Sequence, residues 1–139
     1  ISDQGWIAWF MVAGTLGKPI TVYGDGMQVR DILYVDDLVN AYNMAIEKIE
    51  KTKGQIYNIG GGSSNLLSLR QLLNFLNEKG LQLDILNSDW RPGDQRVFFG
   101  NIKKAKQEFG WEPKVGVSQG LNKMYDWVQE NKKVLGKNL

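Results

Sequence analysis

The sequence predicts an α/β or α+β fold, because helical and strand patterns alternate along a chain of 139 residues. Apolar residues recur every three to four positions in several segments, which indicates amphipathic helices. Short runs of β-branched and aromatic residues lie between these segments, which indicates strands. Glycine or proline separates most of the runs, as expected where one element ends and the next begins.

The first part of the chain is predicted to contain a helix, two strands and a second helix. The first helix ends near Gly17, and residues 20–23 and 32–35 are short apolar runs predicted as strands. Asp36 or Asp37 can cap the helix that follows. Helical spacing then predicts a buried face composed of Leu38, Ala41, Tyr42, Ala45 and Ile49.

The second part alternates in the same way. Ser68 is predicted to cap a helix that stops at Gly80. A shorter helix over residues 102–109 and a last helix from Ser118 onward complete the helical set. Extended segments are predicted at residues 55–59, 81–86 and 97–99.

Composition excludes several classes of function. Hydrophobic residues make up 42% and charged residues 23%, with a net charge of +2, which is typical of a globular protein and too mild for a nucleic-acid or membrane surface. The chain has no cysteine and no histidine, so thiolate and imidazole chemistry are absent. We therefore assign no catalytic residue and no metal ligand, and expect no nucleic-acid or membrane partner. The cytoplasm is the default compartment.

A glycine-rich loop at Gly60-Gly61-Gly62 lies between a predicted strand and a predicted helix. That context suits a phosphate-binding loop. Its spacing, however, matches neither the dinucleotide fingerprint nor a P-loop with its lysine. A tight turn that needs glycine for its backbone conformation is the alternative interpretation, and it is the favoured one.

Two further loops each carry one arginine among glycine, aspartate and proline. Arg30 lies in the segment 24–31, and Arg91 lies in the segment 88–95. Arginine presents a planar fork of donors that fits a phosphate at two points and stays charged at physiological pH. Two such forks on two loops indicate a ligand that contains a diphosphate.

Polar and aromatic residues accompany these arginines. Asp89 and Asp94 flank Arg91, where a carboxylate can orient the guanidinium, accept from a sugar hydroxyl, or form a plain surface ion pair. Tyr23, Tyr34 and Trp90 lie at strand ends or in loops. Each aromatic ring can stack on a base or sugar or serve in ordinary packing, and the sequence leaves both open.

Five segments then carry a resemblance to a known family. They are Gly17–Gly26, Gln28–Leu38, Tyr57–Gly62, Arg91–Asp94 and Phe109–Pro113. In order and spacing they resemble the C-terminal portion of the extended short-chain dehydrogenase/reductase family, the NAD-dependent nucleotide-sugar epimerases and dehydratases. The resemblance covers nearly the whole chain, and five weak motifs in series make it specific.

The resemblance implies a fold and a ligand. The fold is α/β, the C-terminal part of an extended Rossmann-type epimerase fold with mixed helices and short strands, and its N-terminal Rossmann core is missing. Residues 1–139 would form a single substrate-binding portion of a larger enzyme. The ligand would be a nucleotide sugar, and a CDP-sugar is favoured.

The resemblance also implies roles for particular residues. Arg30 and Arg91 would bind the diphosphate from two sides, and Asp94 would contact a ribose hydroxyl or fix its loop. Val22 and Tyr23 would line the pyrimidine pocket. Gln28 would lie near the substrate, and the paired aspartates at the helix start would be structural.

Two hallmarks of the family do not occur in this sequence. The glycine-rich dinucleotide fingerprint is absent, and no tyrosine has a lysine four positions later. The resemblance implies NAD for the whole enzyme. Because these two hallmarks are absent here, no cofactor-binding residue is assigned and the chain alone is expected to be inactive. The segment 55–59 would join a sheet supplied by the missing part, so we expect an exposed apolar patch and either a homo-oligomer or association with that part.

Overall fold

The computed structural model describes residues 5–137. Its helices are α1 (Trp6–Leu16), α2 (Val35–Glu47), α3 (Ile49–Thr52), α4 (Leu69–Glu78), α5 (Lys103–Phe109), α6 (Val117–Glu130) and α7 (Lys132–Lys137). Its strands are β1 (Ile20–Tyr23), β2 (Val29–Asp31), β3 (Leu66–Ser68), β4 (Ile85–Ser88) and β5 (Val97–Phe98). Over this part of the chain, every helix is too short or too polar to cross a membrane.

The described residues divide into two compact units. The first unit contains residues 5–28, 68–96 and 121–137, and the second contains residues 29–67 and 97–120. Each is built from several separate stretches of the chain, so its packing depends on contacts between residues distant in sequence.

The first unit is organised by a parallel pair of strands, β1 and β4, in which Ile20 lies opposite Ile85 and Tyr23 opposite Ser88. Helix α1 contacts both α4 and α7. Gly14 lets α1 lie close to the Leu83 side chain, since a Cβ at this position would lie 2.8 Å from Leu83 Cδ2. The core of this unit is formed by Phe10, Met11, Ala13, Ile20, Val22, Leu72, Leu76, Leu121 and Val128.

In the second unit, β2 lies between β3 and β5, and β2 and β5 run parallel, with Arg30 opposite Phe98. A buried cluster of Ala41, Ala105, Phe109 and Trp111 forms the core. The Trp111 indole N–H donates to the backbone carbonyl of Asp37 at 3.0 Å, so the largest core side chain has a partner for its polar atom.

Several predicted elements are confirmed. Helix α1 ends at Gly17, whose φ of +66° is the left-handed conformation that terminates many helices. Strand β1 has the predicted bounds. Ser68 caps α4 through a full capping box, because its hydroxyl accepts from the Gln71 N–H while the Gln71 side chain accepts from the Ser68 N–H.

The segment 32–35 was predicted as a strand, and this is wrong. Strand β2 lies earlier, at Val29–Asp31, and Val35 already begins α2. The predicted aspartate cap is also wrong, because Tyr34 is the N-cap residue and makes no side-chain cap bond. The Asp37 carboxylate instead accepts from the backbone N–H groups of Lys114 and Val115, at 3.0 and 2.9 Å.

Two other predicted strands differ from the structure. Residues 55–59 have no strand assignment, because a strand needs a hydrogen-bonded neighbour and the described residues provide none there. The strand predicted at 81–86 lies later, at Ile85–Ser88, where it pairs with β1. Ladder partners therefore set these bounds more strongly than local pattern does.

The predicted buried face of α2 is also partly wrong. Ala41 is buried, but Tyr42 and Ile49 are 62% and 51% exposed. They belong to an exposed stripe, with spacings of four and three residues, that we call the α2 stripe. Its members are Val35, Val39, Tyr42, Ile46 and Ile49. In the segment 55–59, where an exposed apolar patch was expected, Ile56 is 86% exposed, whereas Tyr57 and Ile59 pack partly against the core cluster.

Candidate functional site

The candidate site of the first unit lies at the carboxyl ends of its two parallel strands. Strand β1 ends at Tyr23 and β4 ends at Ser88, and the Gly24 N–H donates to the Ser88 carbonyl at 2.9 Å. The turn 24–28 and the segment 89–96, which we call the Arg91 loop, therefore start side by side. Ligands of open α/β sheets bind at this end of the strands.

Arg91 is held by two partners from the predicted set. Its guanidinium carbon lies 4.7 Å from the centroid of the Tyr23 ring, in cation–π geometry. Its Nε and one terminal nitrogen donate to the two carboxylate oxygens of Asp94, at 2.9 and 3.0 Å. The Arg91 side chain is still 61% exposed. The guanidinium is thus fixed along one edge and accessible elsewhere.

The Asp94 contact also fixes the charge of Arg91. The hydrogen bond to Asp94 raises the pKa of Arg91 above its ordinary value. Burial acts in the opposite direction, and the charges of Asp94 and Tyr23 raise the pKa further. Arg91 therefore remains a cation at any pH at which the protein is folded. An anion such as a phosphate is the natural ligand for its accessible edge.

Val22 and Gln28 lie beneath this surface rather than on it. Val22 is 4% exposed, so its side chain belongs to the core of the first unit. Gln28 is 5% exposed, and its amide nitrogen donates to the Tyr23 carbonyl. The amide oxygen of Gln28 is buried without a protein partner among the described residues. Gln28 thus fixes the backbone of Tyr23 and retains one unused acceptor.

Arg30 lies on β2, in the second unit. Its guanidinium donates to the Val29 carbonyl at 2.8 Å, and its backbone pairs with Phe98. A cavity of about 570 Å³ in the same unit is lined in part by Asp31, Tyr57 and Phe98. The sharing of one diphosphate by Arg30 and Arg91 stays a prediction.

The glycine-rich loop at 60–62 is packed against its own unit. A Cβ at Gly60 would lie 2.6 Å from the Asp31 carboxylate, and one at Gly61 would lie 2.1 Å from the Ile32 carbonyl oxygen. The Gly62 N–H donates to Asp31 at 3.0 Å. The Gly62 N–H, which would bind a phosphate, is therefore already bound to a carboxylate, and that carboxylate also lies beside Gly60. This loop does not fit the pyrophosphate of a dinucleotide such as NAD.

The hydroxyl of Tyr57 is held by a carboxylate of its own unit. Its hydroxyl donates to Glu108 at 2.7 Å, and this hydrogen bond, with burial and the charge of Glu108, raises the pKa of Tyr57. The Lys104 ammonium lies 4.8 Å from the centroid of its ring. A phenol with a raised pKa stays protonated at neutral pH, so Tyr57 is not poised to act as a base.

The structure also shows partners that sequence reasoning did not assign. Trp90 lies against Gly24, and Arg96 lies 4.7 Å from the centroid of the Trp90 ring. Trp90 therefore has a packing role on one face, one of the two interpretations that the sequence left open. Asp31 binds the N–H groups of Gly62 and Gly100, at 3.0 and 3.2 Å. An aspartate that follows an arginine in a strand was the only available signal for that role.

Comparison with known proteins identifies the family of this chain. The model of the family described as GDP-mannose 4,6 dehydratase matches residues 6–124. A CDP-paratose 2-epimerase from Salmonella typhi is 39% identical over 132 residues, which cover 91% of this chain and 39% of that protein. A UDP-glucuronate 4-epimerase from Thermodesulfobacterium geofontis is 33% identical over 117 residues, which cover 82% of this chain and 34% of that protein.

Solved structures give the same answer. The UDP-glucose 4-epimerase of Thermotoga maritima, crystallised with UDP-glucose, superposes with a TM-score of 0.79 at 34% identity, over 91% of this chain and 40% of that one. The dTDP-glucose 4,6-dehydratase of Bacillus anthracis, crystallised with NAD, gives 0.76 at 31% identity, over 94% and 40%. The chain thus spans about two fifths of these proteins, the C-terminal part of their fold. It belongs to the GDP-mannose 4,6 dehydratase family of nucleotide-sugar epimerases and dehydratases.

Proposed function

We propose that this chain supplies the nucleotide-sugar-binding part of an NAD-dependent nucleotide-sugar epimerase. The observation that carries the proposal is the placement of Arg91 over Tyr23, beside Asp94, where two parallel strands end. An accessible edge of guanidinium next to an aromatic ring suits a phosphate attached to a nucleoside. Arg30 supplies the second cation of a diphosphate clamp in this proposal.

The role assigned to this chain is binding and not hydride transfer. In enzymes of this kind, NAD oxidises the sugar and then returns the hydride, which allows inversion through a planar intermediate. The glycine loop at 60–62 does not fit that cofactor, and no other described residue is assigned to it. We therefore expect residues 1–139 to bind a nucleotide diphosphate and to show no turnover alone.

For the substrate we propose a CDP-sugar, with inversion at carbon 2 as in a CDP-paratose 2-epimerase. The support is the 39% identity to the Salmonella typhi enzyme of that name, against 33% and 34% for the UDP-glucuronate epimerase and the Xanthomonas campestris dTDP-glucose dehydratases. Another nucleotide-sugar epimerase or 4,6-dehydratase is the alternative. Turnover of CDP-paratose by the intact protein tests the choice, and inactivity there with activity on a UDP- or dTDP-sugar refutes it.

Binding of the diphosphate is tested by calorimetric titration of CDP, UDP and GDP. Loss of one arginine–phosphate contact is expected to weaken CDP by roughly tenfold to a hundredfold, for Arg30→Ala and for Arg91→Ala. Arg91→Lys keeps the charge but loses the planar fork, so it should also bind more weakly. Lys133→Ala on α7 is the control for charge loss in the first unit. Unchanged CDP affinity in the variant that combines Arg30→Ala with Arg91→Ala would refute the assignment of these two arginines to the diphosphate.

A stand-alone module for nucleotide diphosphates is the second candidate, and the same exposed guanidinium supports it. The module and the epimerase part differ in whether the intact protein converts a nucleotide sugar. A module binds CDP and leaves every nucleotide sugar unchanged, even in the intact protein supplied with NAD. No heat with any nucleotide would exclude the module and leave the epimerase proposal without its binding half.

A further inference from the structure

The indole of Trp90 lies flat against the backbone of Gly24. A Cβ placed on Gly24 would lie 2.4, 2.5 and 2.8 Å from Cε2, Cδ2 and Cζ2 of the indole. The atoms Cε2 and Cδ2 form the fusion bond of the two rings and are reached only from a face of the indole. Gly24 also has a φ of +72°, which side chains rarely adopt. Two independent constraints thus require glycine here.

Strand register explains why these two residues meet. Tyr23 lies opposite Ser88 in the parallel pair, and the Gly24 N–H donates to the Ser88 carbonyl at 2.9 Å. Trp90 comes two residues after Ser88, so the Arg91 loop begins beside the turn that Gly24 opens. A tryptophan buries more apolar area than most side chains, and this contact anchors the start of the loop.

Arg91 makes the next contact along the same loop. Trp90 packs on Gly24 and Arg91 packs on Tyr23, so two consecutive residues of the loop stack on the last residue of β1 and the first residue of the turn. The bond of Arg91 to Asp94 lies within the loop and does not attach the loop to β1. The position of Arg91 over Tyr23 therefore depends on how the loop is anchored.

A further contact between the loop and the turn 24–28 is weaker. Arg96 approaches Asp25 at 3.9 Å, with side chains 75% and 49% exposed. Exposed ion pairs of this length contribute little to stability. The Arg96 guanidinium also lies 4.7 Å from the centroid of the Trp90 ring, so it depends on the same indole. Removal of the indole would weaken both attachments.

We propose that Trp90 is a positioning residue that holds Arg91 over Tyr23. Gly24 makes this possible because its lack of a side chain leaves room for the Trp90 indole. The ligand in this inference, a nucleoside diphosphate, rests on the proposed function. The packing of Trp90 and the placement of Arg91 do not depend on it. The inference therefore has tests with and without a ligand.

The packing is tested by thermal unfolding of matched glycine variants. Gly26 has a φ of +73°, close to that of Gly24, but a Cβ there would make only ordinary contacts, with Val22 Cγ1 at 3.7 Å and the Arg70 backbone nitrogen at 4.0 Å. Gly24→Ala should therefore lower Tm by at least about 5 °C more than Gly26→Ala. In a Trp90→Ala background the two glycine variants should cost the same. Equal losses with Trp90 present would overturn the inference.

The placement of Arg91 is tested by NMR without a ligand. Its Nε–H donates to Asp94 at 2.9 Å and its guanidinium lies over Tyr23, so the signal should carry a ring-current shift. Trp90→Ala should abolish that shift, and Trp90→Phe, which keeps a flat ring, should retain it. Trp90→Leu replaces the alanine variant should that one fail to fold. An unchanged shift in a folded variant without the ring refutes the positioning role.

Calorimetry of the intact protein with CDP and cytidine supplies the test with a ligand. Trp90→Ala should weaken CDP about tenfold but add less than about twofold in an Arg91→Ala background, because both changes remove one interaction. Cytidine affinity should not change. An equal loss for cytidine would mean that the indole binds the base itself, which overturns the inference. If the unmodified protein binds no nucleotide, the proposed function fails while the Arg91 NMR signal still decides this inference.

Discussion

Asp37 offers the sharpest test of how the second unit is held together. It is 3% exposed, and its carboxylate accepts from the backbone N–H groups of Lys114 and Val115. Asp37→Ala removes the carboxylate that accepts from these two N–H groups, and the described residues offer them no other acceptor. Hydrogen bonds to a charged group contribute about 1.5–3 kcal/mol each. Because Lys114 is exposed and water can reach it, we expect a loss of about 3 kcal/mol in the free energy of unfolding.

The adjacent Asp36 is the matched control for this prediction. It is exposed and lies in the first turn of α2, where a negative charge stabilises a helix by about 0.3–1 kcal/mol. Urea unfolding followed by tryptophan fluorescence should therefore show a much larger loss for Asp37→Ala than for Asp36→Ala. Asp37→Asn keeps one acceptor and should fall between them. Equal losses for the two alanine variants would mean that Asp37 acts only through the helix end.

Two further predictions concern the second unit. Gly61→Ala should destabilise the chain by several kcal/mol in urea unfolding, because its Cβ would lie 2.1 Å from the Ile32 carbonyl oxygen. Gly116→Ala meets nothing within 4 Å and should be nearly neutral. Ile46→Lys, in the middle of the α2 stripe at 68% exposure, should reduce self-association in sedimentation velocity without a loss of stability. Asn43→Lys adds the same charge outside the stripe, and an equal effect from it would make the change one of net charge alone.

The sequence predicted correctly those helix ends that are determined by residues close by in the chain. The capping box of Ser68 and Gln71 and the left-handed Gly17 both involve neighbours within four residues, so the sequence identifies them. Strand bounds were set by distant partners instead. Residues 32–35 look like a strand, yet Ile32 donates to Asn65 at the end of β2, and Val35 enters a helix. No local pattern contains that pairing.

The same division applies to the candidate site. Residue types predicted that Arg91 would bind an anion and that Asp94 would accompany it, and the structure brings both together with Tyr23. Burial was not predictable from those types. Val22 lies in the core because alternate residues of β1 face inward. Gln28 lies beneath the turn because its amide donates to the Tyr23 carbonyl, a contact that residue type does not reveal.

The two glycine-rich turns of this chain show what a glycine signal in a sequence means physically. At Gly61 the backbone is ordinary, with no positive φ, and the constraint is the close approach of a carbonyl oxygen. At Gly24 both a positive φ and an indole act together. Each glycine permits close packing of protein on protein. In each turn a backbone N–H that a phosphate loop would direct at its ligand is already bound, that of Gly24 to the Ser88 carbonyl and that of Gly62 to Asp31. The anion-binding role that we propose for the first unit therefore rests on the Arg91 side chain, and the glycine at position 24 contributes by letting the loop that carries Arg91 pack against β1.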